Sequence, residues 1–367
     1  MFFGGSRTGY TPFYVSLALP LASSARKPIA SCVEEDIQND PFNSHFSTIF
    51  NVMALARVSP IQRVHFRGVD VHIKRDDVHF LSGNKFRKLF WLTEKDDAFY
   101  ARNHILSYGG VQSNAMLAIA QLAQLKRVPF TYFTRSIPPH VFERTRGLET
   151  NFKAATALGM RHVQLPDTDY TALANTHDFA PVAPSHAASW LGVPQGVAVP
   201  EAELGVRQLA LELNDFGAAF NNNVAVVLPC GTGTTAHYLA KHVHPAMQVY
   251  GVPCVGGRAT LQAQLLRHGA SEATLQRLRV LDPRKRVAFG TLWKPLLEMH
   301  DQVLAETGVE LDLVYGCPAW DTLFHALATD EAAALFRGRE IVYVHCGGLT
   351  GNASQIDRYK KTFGGAR

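Results

Sequence analysis

The 367-residue chain has 47% hydrophobic and 18% charged residues, a composition typical of a globular protein with a sizeable core, and its length fits about two domains. The net charge of +5 is modest, and the basic residues are spread along the chain, which argues against nucleic acid as a partner. The five cysteines are widely spaced and include no Cys-x-x-Cys pair, so we expect neither a disulfide framework nor a metal site. They are Cys32, Cys230, Cys254, Cys317 and Cys346.

The N-terminal segment, residues 1–45, has the composition of a leader. No acidic residue precedes Glu34, while three basic residues flank an apolar run at 13–22 and serines are frequent. This pattern is typical of an organellar transit peptide and, less so, of a secretory signal, and the run is too short to span a membrane. A disordered extension without targeting function is the alternative, so both a mitochondrial and a cytoplasmic location stay open.

The next informative stretch runs from Lys74 to Leu89 and contains Lys85 and Lys88, three residues apart. They lie where a Gly-Asn loop gives way to an apolar, helix-like segment, so they share a helix face. A lysine at such a junction can act as a Schiff-base amine, or it can place positive charge beside an anion bound at the helix N-terminus. Taken alone, the pair also fits ordinary surface lysines.

A strand followed by a glycine-containing loop occurs three times further along the chain. The predicted strands are 104–108, 224–228 and 341–344, the loops are 109–114, 229–235 and 345–352, and helices are predicted at 115–125 and 236–242. Apolar strands alternating with helices predict an α/β fold whose mostly parallel sheet is covered on both faces. Ligands of such sheets bind at the carboxyl ends of the strands, where these loops lie.

One of these loops is the best anion-binding segment of the chain, because its glycines allow close backbone approach and its hydroxyls and helix N-terminus favour negative charge. A dinucleotide fingerprint would require an acidic residue about 20 positions further on. None occurs between residues 229 and 270, and no nucleotide P-loop motif is present, so a nicotinamide-binding protein is disfavoured. The segment therefore predicts a site for a single phosphate or similar anion. It consists of Gly231, Thr232, Gly233, Thr234 and Thr235.

Five motifs occur in a characteristic order between about residue 60 and the C-terminus. They are Ser-Gly-Asn-Lys at 82–85, Gln-Ser-Asn at 112–114, the anion-binding segment at 231–235, Leu-Asp-Leu-Val-Tyr at 311–315 and His-Cys-Gly-Gly at 345–348. In this order they resemble the pyridoxal-phosphate enzymes of the tryptophan-synthase-β fold (fold type II). The most similar family is that of 1-aminocyclopropane-1-carboxylate deaminase and D-cysteine desulfhydrase.

This resemblance implies a two-domain α/β protein with mostly parallel sheets and helices on both faces. The larger domain would comprise residues 46–87 and 200–367, the smaller one residues 88–199, and the cofactor, pyridoxal 5'-phosphate, would bind between them. Relatives commonly dimerise, so a homodimer is expected.

The resemblance also implies roles for individual residues. Lys85 would form the Schiff base with the cofactor, and Lys88 would contact its phosphate together with the segment 231–235. Asn114 would hydrogen-bond the ring hydroxyl of the cofactor, while Ser113 would face the substrate. Tyr315 would lie against cofactor and substrate, and the Pro-Gln-Gly sequence at 194–196 falls near a Pro-x-Gly-Gly loop of the family.

Four positions depart from the family pattern. Ala115 replaces a histidine, Ser82 replaces a glycine, and Cys346 stands where deaminases have leucine and desulfhydrases threonine. Gly316 stands where deaminases have a glutamate that meets the pyridine nitrogen, and it offers no side chain. The last difference favours β-elimination over reactions that need a fully protonated cofactor ring.

The expected function is therefore a lyase or deaminase acting on a small amino acid. Lys85 would be the base at the α-carbon, Tyr315 a second acid or base, and Ser113 would bind the substrate carboxylate. The favoured reaction is β-elimination of a D-cysteine-like substrate to pyruvate, ammonia and the leaving group. The alternatives are deamination of 1-aminocyclopropane-1-carboxylate or D-serine, and a cofactor-binding homologue without catalysis.

Several candidate residues also fit structural roles. Asn114 fits a helix N-cap, and Tyr315 a core aromatic residue. Cys317 and Cys346 fit small buried residues rather than thiolates, and His345, at the end of a buried strand, fits a structural role as well as a catalytic one.

Overall fold

Two β-sheets and the helices that cover them make up the described residues of the computed structural model, 58–185, 189–285 and 288–364, which all belong to one compact unit. The predicted leader, on which the expected location depends, lies outside these residues. None of the helices in the described ranges combines the length and the apolar character needed to cross a bilayer.

The larger sheet has six strands in the order β1-β2-β10-β7-β8-β9. β1 is antiparallel to β2, and the other neighbours pair in parallel. Every residue of β7 is buried, as expected for an apolar strand covered on both faces. The strands are β1 (Ile61–Phe66), β2 (Val69–Lys74), β7 (Val224–Cys230), β8 (Gln248–Pro253), β9 (Leu278–Val280) and β10 (Glu340–Val344).

The smaller sheet has four parallel strands in the order β5-β4-β3-β6. Its central strand β3 is buried along its whole length. The strands are β3 (His104–Tyr108), β4 (Phe130–Arg135), β5 (Arg161–Leu165) and β6 (Trp190–Val193). All four lie within residues 88–199; the proposed domain boundaries themselves stay a prediction.

Helices follow most of the strands, as the alternating pattern of the sequence predicts. In chain order they are α1 (Lys85–Thr93), α2 (Asp97–Arg102), α3 (Asn114–Leu125), α4 (Pro139–Arg144), α5 (Asn151–Ala157), α6 (Asp167–Thr176), α7 (Ala202–Ala218), α8 (Thr234–His242), α9 (Arg258–Arg267), α10 (Glu272–Arg277), α11 (Lys294–Thr307), α12 (Gly316–Leu327), α13 (Asp330–Ala333) and α14 (Asn352–Phe363). Short 3₁₀ turns occur at Asp76–Val78, Ala180–Val182 and Leu349–Gly351.

The predicted helices after β3 and β7 begin earlier than the sequence suggested. α3 starts at Asn114 because Ser113 is its N-cap, its Oγ accepting a hydrogen bond from the Met116 amide at 3.2 Å. The interpretation of Asn114 as the cap is therefore wrong. α8 starts at Thr234 because Gly233, with a φ of 74°, makes the turn into the helix.

A cluster of aromatic rings fixes the position of α12 against the larger sheet. Phe66 at the end of β1 packs edge-on against Trp320 and Phe324, with centroid distances of 5.7 and 4.8 Å. Such edge-to-face pairs add to the stability that apolar burial provides. The buried face of α12 thus anchors the helix, whose N-cap is Tyr315.

Candidate active site

The loops at the carboxyl ends of β2, β7 and β10 meet those of β3 and β6 around a cavity of about 350 Å³. Parallel strands bring such loops to one edge of each sheet, which is where α/β proteins bind ligands. Every residue that the sequence assigned to the site lines this cavity. They are Lys85, Lys88, Ser113, Asn114, Gly231, Thr232, Gly233, Thr234, Thr235 and Tyr315.

Lys85 is presented by a tight turn that only glycine at position 83 allows. Gly83 has a φ of 69°, and a Cβ there would lie 2.4 Å from the carbonyl oxygen of Cys346. The Asn84 amide donates to the same carbonyl at 2.8 Å, which joins this turn to the loop after β10. α1 begins immediately afterwards, so its first residue, Lys85, faces the cavity.

The two lysines lie in an environment that disfavours their charged forms. Burial lowers the pKa of Lys85. Burial, and next the charge of Lys85, lower the pKa of Lys88 to about 7. The Lys88 amine donates to the Gly196 carbonyl at 3.1 Å and to the Thr232 hydroxyl at 3.4 Å, and both acceptors are neutral. An anion placed between Lys88 and α8 would therefore be stabilised.

The anion-binding segment has a defined shape. The Thr232 and Thr234 hydroxyls lie 2.9 Å apart. His268, at the end of α9, donates through Nε2 to the Thr232 carbonyl at 2.9 Å. This hydrogen bond stabilises the conformation of the loop. The φ of 74° at Gly233 favours glycine, and α9 packs closely against it, since a Cβ would lie 2.8 Å from a Leu261 methyl group.

Asn114 is oriented by a residue that the sequence did not single out. Asn151, the first residue of α5 and only 1% exposed, donates from its Nδ2 to the Asn114 Oδ1 at 2.7 Å and to the Gln112 carbonyl at 2.9 Å. These contacts leave the Nδ2 of Asn114 as a hydrogen-bond donor. Ser113 uses an oxygen lone pair as the helix cap, and its hydroxyl also contacts the phenol of the buried Tyr132.

Tyr315 is positioned by the carboxylate of Asp312. One oxygen accepts from the Val314 and Tyr315 amides at 3.1 and 2.6 Å, and the other from the Gly316 amide at 2.8 Å. Burial raises the pKa of Tyr315, so the phenol stays protonated at neutral pH. The Phe289 ring lies 5.3 Å from that of Tyr315 and lines the same cavity.

The lack of a side chain at position 316 follows from this arrangement. A Cβ on Gly316 would lie 2.9 Å from the Asp312 Oδ2. The carboxylate that caps the start of α12 therefore occupies the space that a larger residue at 316 would need.

Three further candidates, one histidine and two cysteines, have different environments. His345 is fully buried; its Nε2 donates to the Glu310 carbonyl at 2.7 Å and its Nδ1 accepts from the Gly347 amide at 3.2 Å, which is a structural role. Cys346 lines the cavity, and burial raises the pKa of its thiol. Cys317 is fully buried, and burial raises the pKa of its thiol as well. Both fit protonated thiols rather than thiolates.

Sequence reasoning missed Asn151, His268 and Asp312 as supports of the site. The acid of Leu-Asp-Leu-Val-Tyr stands three residues before the tyrosine, and that spacing is the signal that could have identified it as a cap. Asn151 and His268 approach the site only through tertiary contacts, with no motif around them.

Several solved structures are similar to this chain, while no family model matches it. An ACC deaminase homologue superposes with a TM-score of 0.66 at 21% identity, covering 83% of this chain and 93% of that chain. A hydrogen sulfide-producing enzyme from Fusobacterium nucleatum gives a TM-score of 0.57 at 11% identity, covering 82% and 98%. Threonine deaminase isoform 2 from Solanum lycopersicum gives 0.56 at 16% identity, covering 88% and 93%.

These similarities confirm the predicted fold. The chain has the tryptophan-synthase-β-like architecture of fold type II, with mostly parallel sheets covered by helices.

Proposed function

We propose that the protein is a pyridoxal-phosphate-dependent lyase or deaminase acting on a small amino acid. One observation carries this proposal: ten residues chosen from separated sequence motifs line a single cavity of about 350 Å³. The names of the similar structures support it, since they include an ACC deaminase homologue, a hydrogen sulfide-producing enzyme and a threonine deaminase.

The residues around the cavity fit this cofactor. Lys88 is 5% exposed and has only neutral partners among the described residues, which leaves room for one more negative group such as a phosphate. The N-terminus of α8 supplies unpaired amides at the same place. The Lys85 amine forms no hydrogen bond or ion pair with the described residues, so it is available to hold the cofactor covalently. When bound, the cofactor would withdraw electrons from the substrate α-carbon.

Lys85 is the residue suited to move the α-proton. Because burial lowers its pKa, a larger fraction of its amine is unprotonated near neutral pH than for an exposed lysine. An unprotonated amine at the helix start can accept the α-proton and return it later.

Ser113 and Tyr315 would handle the other polar groups of the substrate. The Ser113 hydroxyl and the first amides of α3 can bind a carboxylate, as helix N-termini do. The protonated phenol of Tyr315 can donate a proton to a departing group, and Asp312 fixes the backbone that carries it.

The favoured reaction is β-elimination from a D-cysteine-like substrate. The α-proton goes to Lys85, the bond from Cβ to sulfur breaks, and the electron pair leaves with the sulfur, which takes up a proton. Water then converts the remaining enamine to pyruvate and ammonia. Gly316 favours this reaction over deamination of 1-aminocyclopropane-1-carboxylate because no side chain fits there to protonate the cofactor ring.

The visible absorption spectrum of the purified protein tests the cofactor and its lysine together. With pyridoxal phosphate, the parent should show the visible band of a lysine-bound cofactor, whereas Lys85→Ala and Lys85→Arg should lack it. Lys85→Arg keeps the positive charge, so loss of the band there isolates the covalent role. Lys241→Ala, which removes a half-exposed lysine of α8, is the matched control and should keep the band.

Turnover separates the alternatives within this proposal. Pyruvate and sulfide formed from D-cysteine would support β-elimination, and ammonia from D-serine or 1-aminocyclopropane-1-carboxylate would favour the alternative deaminases. Cofactor binding without turnover of any amino acid would indicate a non-catalytic homologue. A parent protein that binds no pyridoxal phosphate would contradict the proposal. The homodimer stays a prediction that the mass in solution tests.

A further inference from the structure

A buried cluster of four charged side chains lies behind the Lys85 turn, outside the cavity. It consists of Lys74, Asp76, Arg87 and Glu212, whose side chains are 1%, 0%, 0% and 12% exposed. Two positive and two negative groups balance, so the cluster is neutral as a whole. Burying charges costs free energy unless partners and hydrogen bonds compensate, and here every charge has a partner.

Glu212 is the residue that joins the two cations. Its carboxylate forms a bidentate pair with Arg87, at 2.7 Å to Nη1 and 2.8 Å to Nη2, and it lies 2.5 Å from the Lys74 amine. Planar guanidinium and carboxylate groups paired in this way are fixed in orientation as well as in distance. Glu212, together with the Asp76 carboxylate, therefore determines where the Arg87 guanidinium lies.

Close packing of α7 on α1 makes this contact possible. A Cβ at Gly205 would lie 2.0 Å from the Arg87 carbonyl oxygen and 2.7 Å from the Phe90 Cβ, so only glycine allows the two helices to approach so closely. Glu212 lies seven residues after Gly205, on the same face of α7. The same helix face thus provides both the close approach and the carboxylate.

Arg87 transmits the position of Glu212 to Asp76 and Asn84. Its Nη2 donates to the Asp76 Oδ1 at 2.9 Å, and the Asp76 Oδ2 accepts from the Asn84 Nδ2 at 3.1 Å. Asn84 is 2% exposed, and its Oδ1 accepts from the Thr235 hydroxyl at 3.0 Å. Asn84 directly precedes Lys85, and Thr235 belongs to the anion-binding segment. The buried side-chain amide of Asn84 therefore links the Lys85 turn to the anion-binding segment.

We infer that Glu212 is a positioning residue. Through the buried charge cluster it determines the orientation of the Asn84 side chain, and thereby the positions of Lys85 and of the anion-binding segment. This inference rests on the proposed function for its relevance to the cofactor, but the linked geometry can be tested with inorganic phosphate alone. If Glu212 is neutralised, a glutamine can offer Arg87 only one acceptor and places an amide donor beside a cation. Arg87 then loses its bidentate pairing with Glu212 while it keeps its bonds to Asp76 and Ser59. We expect the guanidinium to shift and to displace the Asp76 carboxylate that holds Asn84.

The test compares Glu212→Gln with Glu203→Gln in the full-length protein. Glu203 lies on the same helix and pairs with Lys241 and His242 at 2.7 and 2.6 Å, but it has no link to Asn84. We expect Glu212→Gln to weaken the binding of inorganic phosphate and of pyridoxal phosphate about tenfold, as substitutions in the outer shell of metal sites do. Glu203→Gln should leave both affinities unchanged. The pH at which the visible band of the bound cofactor titrates should also shift in Glu212→Gln only.

The possible outcomes test the role of Glu212 separately from the proposed function. If Glu212→Gln is less stable but, while folded, binds phosphate like the parent, its role is merely structural and the inference is wrong. If Glu212→Gln does not fold, Glu212→Asp keeps the charge and withdraws the carboxylate by one methylene; unchanged phosphate affinity in that variant would equally overturn the inference. A parent that binds phosphate but no pyridoxal phosphate would contradict the proposed function alone, and the phosphate comparison would still decide the role of Glu212.

Discussion

Replacing Gly83 with alanine tests the turn that presents the candidate catalytic lysine. At this position two costs combine. Gly83 has a φ of 69°, a conformation that costs an alanine about 1–2 kcal/mol. Its added Cβ would lie 2.4 Å from the Cys346 carbonyl oxygen and 2.9 Å from the Gly347 Cα, both backbone atoms that cannot rotate away.

The size of the effect follows from adding the two costs. Forcing extra atoms into a packed region typically costs about 1–3 kcal/mol, so Gly83→Ala should lower the free energy of unfolding by about 2–5 kcal/mol in all. Gly68, in the β1–β2 turn, is a matched control because its φ is 80° but nothing lies within 4 Å of an added Cβ. Gly68→Ala should therefore cost only the conformational part, about 1–2 kcal/mol.

The assay is urea unfolding of both variants and the parent under identical conditions, with the free energy of unfolding taken from the midpoint and slope. The gain from restricting the unfolded chain is common to both substitutions and cancels in their difference. Gly83→Ala should lose at least about 1 kcal/mol more than Gly68→Ala, which is the lower bound of the packing cost. Equal losses would show that the turn does not lie against the loop after β10, and the reasoning on how Lys85 is presented would fail.

Two further predictions concern buried charged groups. The pKa of Lys88 is about 7 in the folded protein and 10.5 for an unperturbed lysine, so between these values the unfolded chain binds the extra proton and stability should rise with pH. Lys88→Met should reduce this rise by the share that Lys88 contributes, since burial also lowers the pKa of Lys85. Urea unfolding at about pH 6.5 and about pH 9.5 measures the rise, and an equal rise in the parent and the variant would contradict the assignment. Asp312→Asn should cost about 1–3 kcal/mol, because an amide cannot accept from three successive backbone amides as the carboxylate does. Asp178→Asn, which alters an exposed carboxylate with one such bond, is the control and should change stability by less than about 0.5 kcal/mol; equal effects would refute the capping role of Asp312.

Much of the candidate site could be predicted from the sequence because its parts are local. Lys85, Asn114 and Gly233 lie in short motifs whose loop and helix-start geometry follows from the residue types themselves. Strand positions were predicted well where every residue of the strand is buried, as in β3 and β7. Helix starts were displaced by one or two residues, because the decisive caps, Ser113 and Gly233, depend on backbone angles that composition does not determine.

The sequence by itself determined the fold class, the order of the site motifs and the residue types that suit an anion and a reactive amine. Only the tertiary structure decided which residues support them. Asn151 and His268 contact site residues from other helices, and Glu212 contacts Arg87 behind the Lys85 turn, across separations along the chain that no local pattern encodes. The tertiary structure also decided the pKa values of the two lysines. Their pKa values fall because burial removes water from their amines, and that burial is produced by the packing of elements distant in sequence.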